Sequence, residues 1–289
     1  MVRFLALVHI LILLSLPIAV SAAEPQRDFT DLVYATVNGK PLALDVHLPA
    51  GTQQPSLLVF VHGGAWTTGS KAQYPAFLLA RGFAVASVDF RSSNDALFPA
   101  DVHDIKAAIR FLRAKAKDYG YRADRIGVVG ASSGGHLAAL VGVTNGVKEL
   151  EGTEGDYLNE SSSVQAAVSY FGATDLTTIL SQSTPAGLAV RAPALERLLG
   201  AAPDVAQDLA RLASPIFHVD RDDPPMLLLH GDQDTQMPVN QVLEMRWAYE
   251  NVGRQVDVMI LHGVDHVAPP FFEGAPVDRV VAFLERALK

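Results

Sequence analysis

The stretch "GVVGASSGGHLAAL", Gly127 to Leu140, limits the fold more than any other part of the chain. An apolar run stops in glycines, two serines stand among them, and a small-residue apolar pattern suited to a helix begins at once. A strand that passes into a helix through G-x-S-x-G forms a nucleophile elbow, which lifts the serine hydroxyl above the edge of a sheet. The flanking glycines are needed because a side chain there would collide across so sharp a turn. Gly130-Ala131-Ser132-Ser133-Gly134 satisfies the frame, whereas a frame shifted by one residue would require glycine at Ala131. Ser132 is therefore the predicted nucleophile. Ser133 falls one residue into the helix, where its backbone N–H is a predicted donor to an oxyanion.

A serine is a poor nucleophile until a base takes its proton, and the base needs a carboxylate to orient it. Around such an elbow the chain order is Ser, then Asp or Glu, then His. Downstream of Ser132 stand His136, His218, His230, His262 and His266. His136 falls on the helix after the elbow, and His230 and His262 each close an apolar run as "LHG", so structural roles are expected for these three, while His218 follows "SPIF" in the cap region. His266 lies in "HGVDHVAPP", between the last predicted strand and the last helix, and is the predicted base. The preceding loop, "LLLHGDQDTQMP", offers Asp232 and Asp234 as the acid. Upstream, "HGGAW" (His62 to Trp66) ends another apolar run, and there the N–H groups of Gly64 and Ala65 are expected to complete the oxyanion hole. His62 is expected to brace that loop, and Trp66 to fill either a pocket or the core.

The remaining segments fit the same architecture. "LVYATV" and "LALDVHLP" flank Asn38-Gly39-Lys40, and Asn-Gly favours a tight hairpin. "SLLVFV", "FAVASVDFR", "RIGVVG", "VQAAVSYFG", "PPMLLLHGD" and "VDVMILHG" read as strands. Helical patterns lie between them, the longest running from Phe98 to Tyr119 with Val102, Ile105, Ile109 and Leu112 on one face and Gly120 as its stop. Such alternation predicts a mainly parallel sheet covered on both faces. Two segments interrupt it. The acidic run 144–163 is expected to be a solvated connection. Residues 175–214 carry short helical pieces separated by Pro185, Pro193 and Pro203, long enough to act as a cap over a site.

The chain of 289 residues is 49% hydrophobic, with its glycines and prolines scattered, which suits one large core in a single domain over residues 24–289. Arg3 precedes the apolar run Phe4 to Val20, which leads into "SAAEP", the layout of a signal peptide over residues 1–23 and hence of an exported protein with no stable membrane insertion. The absence of cysteine excludes disulfides, thiolate metal sites and a cysteine nucleophile. With 23 basic against 31 acidic residues, nucleic acid is not an expected partner.

Together "HGGAW", "DFRSS", "RIGVVGASSGGHLAALVG", "GVKELEG", "YFGATDL", "LASPIFHVDRDDPPMLLLHGDQD" and "GVDH" resemble the esterase family that includes bifunctional feruloyl and acetyl-xylan esterases. The resemblance covers most of the chain. It implies the α/β-hydrolase fold, with a sheet of about eight strands and a small cap. It also implies Ser132 as nucleophile, Asp234 as acid, His266 as base, and no cofactor or metal. There are departures: Ala65 where a third glycine is common, "DHVAPP" where a "GHGF" type ending is common, and "QMP" where "LVP" follows the acid. The expected activity is hydrolysis of a small or carbohydrate-linked carboxylic ester through an acyl-enzyme. A peptidase or amidase, a lactone hydrolase, and a binding protein without turnover are the rivals that one scaffold leaves open.

Overall fold

The computed structural model describes residues 26–254 and 256–288, so the expected signal segment lies outside the described residues. The chain opens with β1 (Arg27–Val37) and β2 (Lys40–Leu48), joined through Asn38 and Gly39 at φ +50° and +78°. Two successive positive φ values make the hairpin turn whose twist matches its strands, as the Asn-Gly pair predicts. There follow β3 (Ser56–Val61), α1 (Ala76–Ala80), β4 (Ala84–Val88), α2 (Ala100–Tyr119), β5 (Arg122–Ala131), α3 (Ser133–Gly142) and β6 (Ala166–Tyr170). Beyond them come α4 (Ile179–Gln182), α5 (Pro185–Leu199), α6 (Gln207–Leu212), β7 (Met226–Gly231), α7 (Asn240–Asn251), β8 (Asp257–Leu261) and α8 (Gly274–Ala287). The eight strands form one sheet in the order β1-β2-β4-β3-β5-β6-β7-β8. The β1–β2 and β2–β4 pairs are antiparallel, and all others are parallel.

Both faces of the central strands are buried. Leu57, Val59 and Val61 of β3 pack with α2 and α3 on one side, while Leu58 between them packs with α1 and α8 on the other. A period of two therefore produces a continuous apolar run when both faces are covered. On α2, Val102, Ile105, Ile109 and Leu112 are fully buried, and Gly120 ends the helix in the left-handed region at φ +94°. Each such side chain contributes roughly 1.5–3 kcal/mol by leaving water.

Two expectations need correction. The acidic run is not wholly solvated: Glu149, Asp156 and Glu160 face water, but Glu151 and Glu154 are partly buried. Glu151 lies 2.7 Å from the buried Lys106 ammonium, and Glu154 lies 2.9 Å from Arg91, which also chelates the buried Asp104. The polar stripe of α2 thus faces this loop, and buried charge requires a charged partner. Secondly, Pro193 does not separate two helical pieces but lies inside the continuous α5. One missing backbone bond is outweighed by burial of Ala194, Leu195, Leu198 and Leu199 just beyond it. Pro185 takes the first helical turn behind Thr184, whose hydroxyl accepts the Gly187 N–H at 3.0 Å.

Asp101, in the first turn of α2, is 4% exposed; one carboxyl oxygen accepts the Val102 N–H and the other has no partner among the described residues. Burial pushes this carboxyl up to about 7. Because the folded-state value is raised, the associated stability is greatest below the ordinary carboxylate range, near 4, and is lost as pH rises from there to about 7. Asp101→Asn is therefore expected to melt several degrees above the parent chain at pH 8 and level with it at pH 4, as followed by circular dichroism. Equal shifts at both pH values would contradict this.

Candidate active site

β5 ends near the middle of the sheet and turns into α3 at Ser132, whose φ of +56° and ψ of −122° are strained for any residue with a side chain. The glycine requirement of the elbow is visible here. A Cβ at Gly130 would lie 2.1 Å from the Gly134 carbonyl oxygen, and one at Gly134 would lie 2.1 Å from that of Val61. The Ser132 N–H donates to the Tyr170 carbonyl at 2.9 Å, tying the turn to β6.

The loops after β7 and β8 bring Asp234 and His266 to this serine. The Ser132 hydroxyl is 2.9 Å from His266 Nε2, and His266 Nδ1 is 2.6 Å from Asp234 Oδ2. A carboxylate accepts, so Nδ1 carries the proton and Nε2 presents its lone pair to the hydroxyl. Asp234 Oδ1 accepts the N–H groups of Gln236 and Met237 at 2.9 and 2.7 Å. Its side chain is fully buried, that of His266 is nearly so, and Phe171 packs edge-on against the imidazole at 4.7 Å. Burial alone would raise the Asp234 carboxyl, but hydrogen bonds from His230, His266 and the Met237 N–H outweigh it and hold it well below the usual carboxylate range.

The loop after β3 lies opposite. Gly64, Ala65 and Trp66 all have positive φ, at +123°, +52° and +61°. A Cβ at Gly64 would fall 2.2 Å from the Thr68 carbonyl oxygen, so that glycine is required, whereas at position 65 alanine is accommodated at the cost of strain. The N–H groups of Gly64, Ala65 and Ser133 have no partner among the described residues. Gly64, Ala65, Ser132 and His266 line a cleft of about 500 Å³, with Thr67, Thr68 and Gln73 as polar wall and Phe171 and Val267 as apolar wall. Val190, Arg191 and Ala194 of α5 border a small recess beside Ser132, which brings segment 175–214 to the site.

The structure thus unites Ser132, Asp234 and His266 and keeps Asp232 apart. Asp232 accepts the Gly263 N–H and pairs with the exposed His262, both at 2.7 Å, clamping the neighbouring loop. His62 contacts the Gly63 carbonyl and stacks on Phe90 at 4.4 Å, bracing its loop as expected, and His218 contacts the Leu212 carbonyl. Trp66 is buried, with its indole N–H on His136 Nδ1 at 3.0 Å. Sequence reasoning missed that contact and also His230, which donates to the Met237 carbonyl at 2.9 Å and stands 3.4 Å from Asp234. The spacing of His230 and Asp234, four residues across one turn, was the available signal.

A mostly parallel eight-stranded sheet, with a serine at the turn after β5 and His and Asp on the last two strand loops, defines the α/β-hydrolase fold. The chain belongs to the BD-FAE family, whose model matches residues 44–248. It is 32% identical over 224 residues to the Mycobacterium tuberculosis esterase LipC, covering 74% of this chain and 53% of that one. The chain spans about half the length of the curated relatives it matches. Among solved structures it is similar to a truncated carbohydrate esterase from gut microbiota, at 32% identity and a TM-score of 0.80, covering 90% of this chain and 96% of that one. It is also similar to a thermophilic esterase of Thermogutta terrifontis, at 26% identity and a TM-score of 0.68 over 88% and 89% of the two chains. That esterase has also been solved phosphoramylated by tabun.

Proposed function

We propose that this chain is a serine carboxylesterase acting on small or carbohydrate-linked esters. The observation that carries the reading is the unbroken chain of hydrogen bonds from the Ser132 hydroxyl through His266 to Asp234, open to a cleft edged by unpaired N–H groups. Ser132 attacks the ester carbonyl as His266 Nε2 takes its proton. His266 then delivers that proton to the departing alcohol, leaving an acyl group on Ser132. Water repeats the sequence against the acyl carbonyl. Asp234 holds the tautomer this requires, and the N–H groups of Gly64, Ala65 and Ser133 carry the oxyanion. The carbohydrate esterase relative and the polar wall of Thr67, Thr68 and Gln73 support a sugar-linked alcohol.

An organophosphonate is expected to add once to the chain, on Ser132, with loss of ester hydrolysis, as read by peptide mass spectrometry. An unlabelled Ser132 in fully inhibited protein would refute the assignment. We further propose that residues 24–289 form one exported domain, released by cleavage after residue 22 or 23, with residues 175–214 as its cap. N-terminal sequencing of the protein recovered outside the cytoplasm tests the export, and an intact Met1 there would refute it.

A further inference from the structure

His136 has no role in the proton transfers above, yet it is fully buried three residues into α3 and every polar atom of its ring is engaged. Nδ1 is 3.0 Å from Trp66 Nε1, and Nε2 is 2.7 Å from the Ala213 carbonyl oxygen. An indole nitrogen only donates and a carbonyl oxygen only accepts. The ring is therefore neutral, with its proton on Nε2 and its Nδ1 lone pair turned to the indole. A protonated ring would set one N–H against another. Burial, which pushes this imidazole down to about 4, acts in the same direction.

The three segments joined here all bear on the site. The His136 N–H donates to the Ser132 carbonyl at 3.0 Å, so the ring stands on the elbow itself. Ala213 caps α6 at the end of segment 175–214. Trp66 closes the oxyanion loop, and it and Ala65 are consecutive non-glycine residues in the left-handed region. Each such residue is strained and persists only where its surroundings fix it. Among the described residues the backbone of Trp66 is held by one bond, from the Ser93 N–H to its carbonyl at 2.8 Å. Its side chain is fixed by the indole bond to His136, against which it packs edge-on at 5.4 Å.

We propose that His136 is a positioning residue for the reaction, tying the Trp66 indole to the Ala213 carbonyl and so keeping the Ala65 N–H aimed at the oxyanion that forms beside Ser132. The inference rests on the serine-esterase reading. It assigns to Trp66 and His136 an effect on the transition state and not on substrate binding, because the oxyanion exists only in the former.

The test compares the parent chain with Trp66→Phe, which removes only the N–H donor from an aromatic side chain, His136→Leu, which keeps volume without polar atoms, and His136→Gln, which restores one acceptor and one donor. Each is assayed, below its melting temperature, for kcat and KM on a nitrophenyl acetate and for inhibition by a trifluoromethyl ketone, whose oxyanion occupies the same donors. Trp66→Phe and His136→Leu are expected to lose about 10- to 100-fold in kcat with KM within about twofold, and His136→Gln to lose less than His136→Leu. The ketone inhibition constant should rise by the factor by which kcat/KM falls. A folded Trp66→Phe with parental kcat and ketone affinity would overturn the proposal, as would a rise in KM alone, or equal losses in His136→Gln and His136→Leu. Should Trp66→Phe not fold, the two His136 variants decide by the same criteria. A parent chain that reacts with neither the ketone nor a phosphonate would instead refute the esterase reading.

Discussion

Replacing Ser132 by alanine is expected to lower kcat by about 10⁶-fold, leaving only what oxyanion donors and binding supply, whereas Ser133→Ala should keep most of the activity. Two adjacent serines are separated by backbone geometry. Ser132 occupies the strained turn and is the one whose hydroxyl meets His266 Nε2, while Ser133 begins α3 with its side chain buried. Alanine at 132 retains a Cβ, so the turn is no more strained than before, and loss of rate without loss of fold reports the missing oxygen. Alanine at 133 keeps the N–H assigned to the oxyanion hole. Steady-state kinetics on one nitrophenyl ester, with melting curves for both variants, checks the pair. An inactive Ser133→Ala beside an active Ser132→Ala would shift the elbow frame by one residue.

The parts of this molecule that could be read from the sequence are those whose causes are local. The elbow follows from clashes that Gly130 and Gly134 avoid, the hairpin from positive φ at Asn38 and Gly39, and the end of α2 from Gly120. His266 and Asp234 were legible through topology, since each strand of a parallel sheet delivers its following loop to the same edge. What was not legible depends on residues far apart in the chain. Glu151 looks like a surface charge until α2 sets Lys106 and Arg110 beside it. β5 begins at Arg122, earlier than the apolar run "RIGVVG", because Arg122 pairs with Ser56 across an irregular register that then jumps to Leu57 and Ile126. The contact of Trp66, His136 and Ala213 unites three distant segments, and neither period nor composition records it.

Asp234→Asn is expected to lose about 10⁴ in kcat, by the same loss of tautomer control that an orienting aspartate prevents in other triads. An asparagine there would keep its carbonyl oxygen on the Gln236 and Met237 N–H groups, which Oδ1 now accepts. Its NH₂ would then face His266 Nδ1, which could answer only as an acceptor. The ring would carry its proton on Nε2, facing the Ser132 hydroxyl that it must deprotonate. The variant also gives up a fully buried carboxylate that its hydrogen bonds hold ionised, so its melting temperature should fall by several degrees while the protein remains folded at the assay temperature. Asp232 supplies the contrast. It sits on the same loop but bonds to Gly263 and to a largely exposed His262, and its charge is screened by water. Asp232→Asn can still accept the Gly263 N–H, and its kcat should stay within about threefold of the parent value. Paired kinetics and melting curves decide between the two aspartates, and a large loss of rate in Asp232→Asn with Asp234→Asn active would place the orienting acid at Asp232.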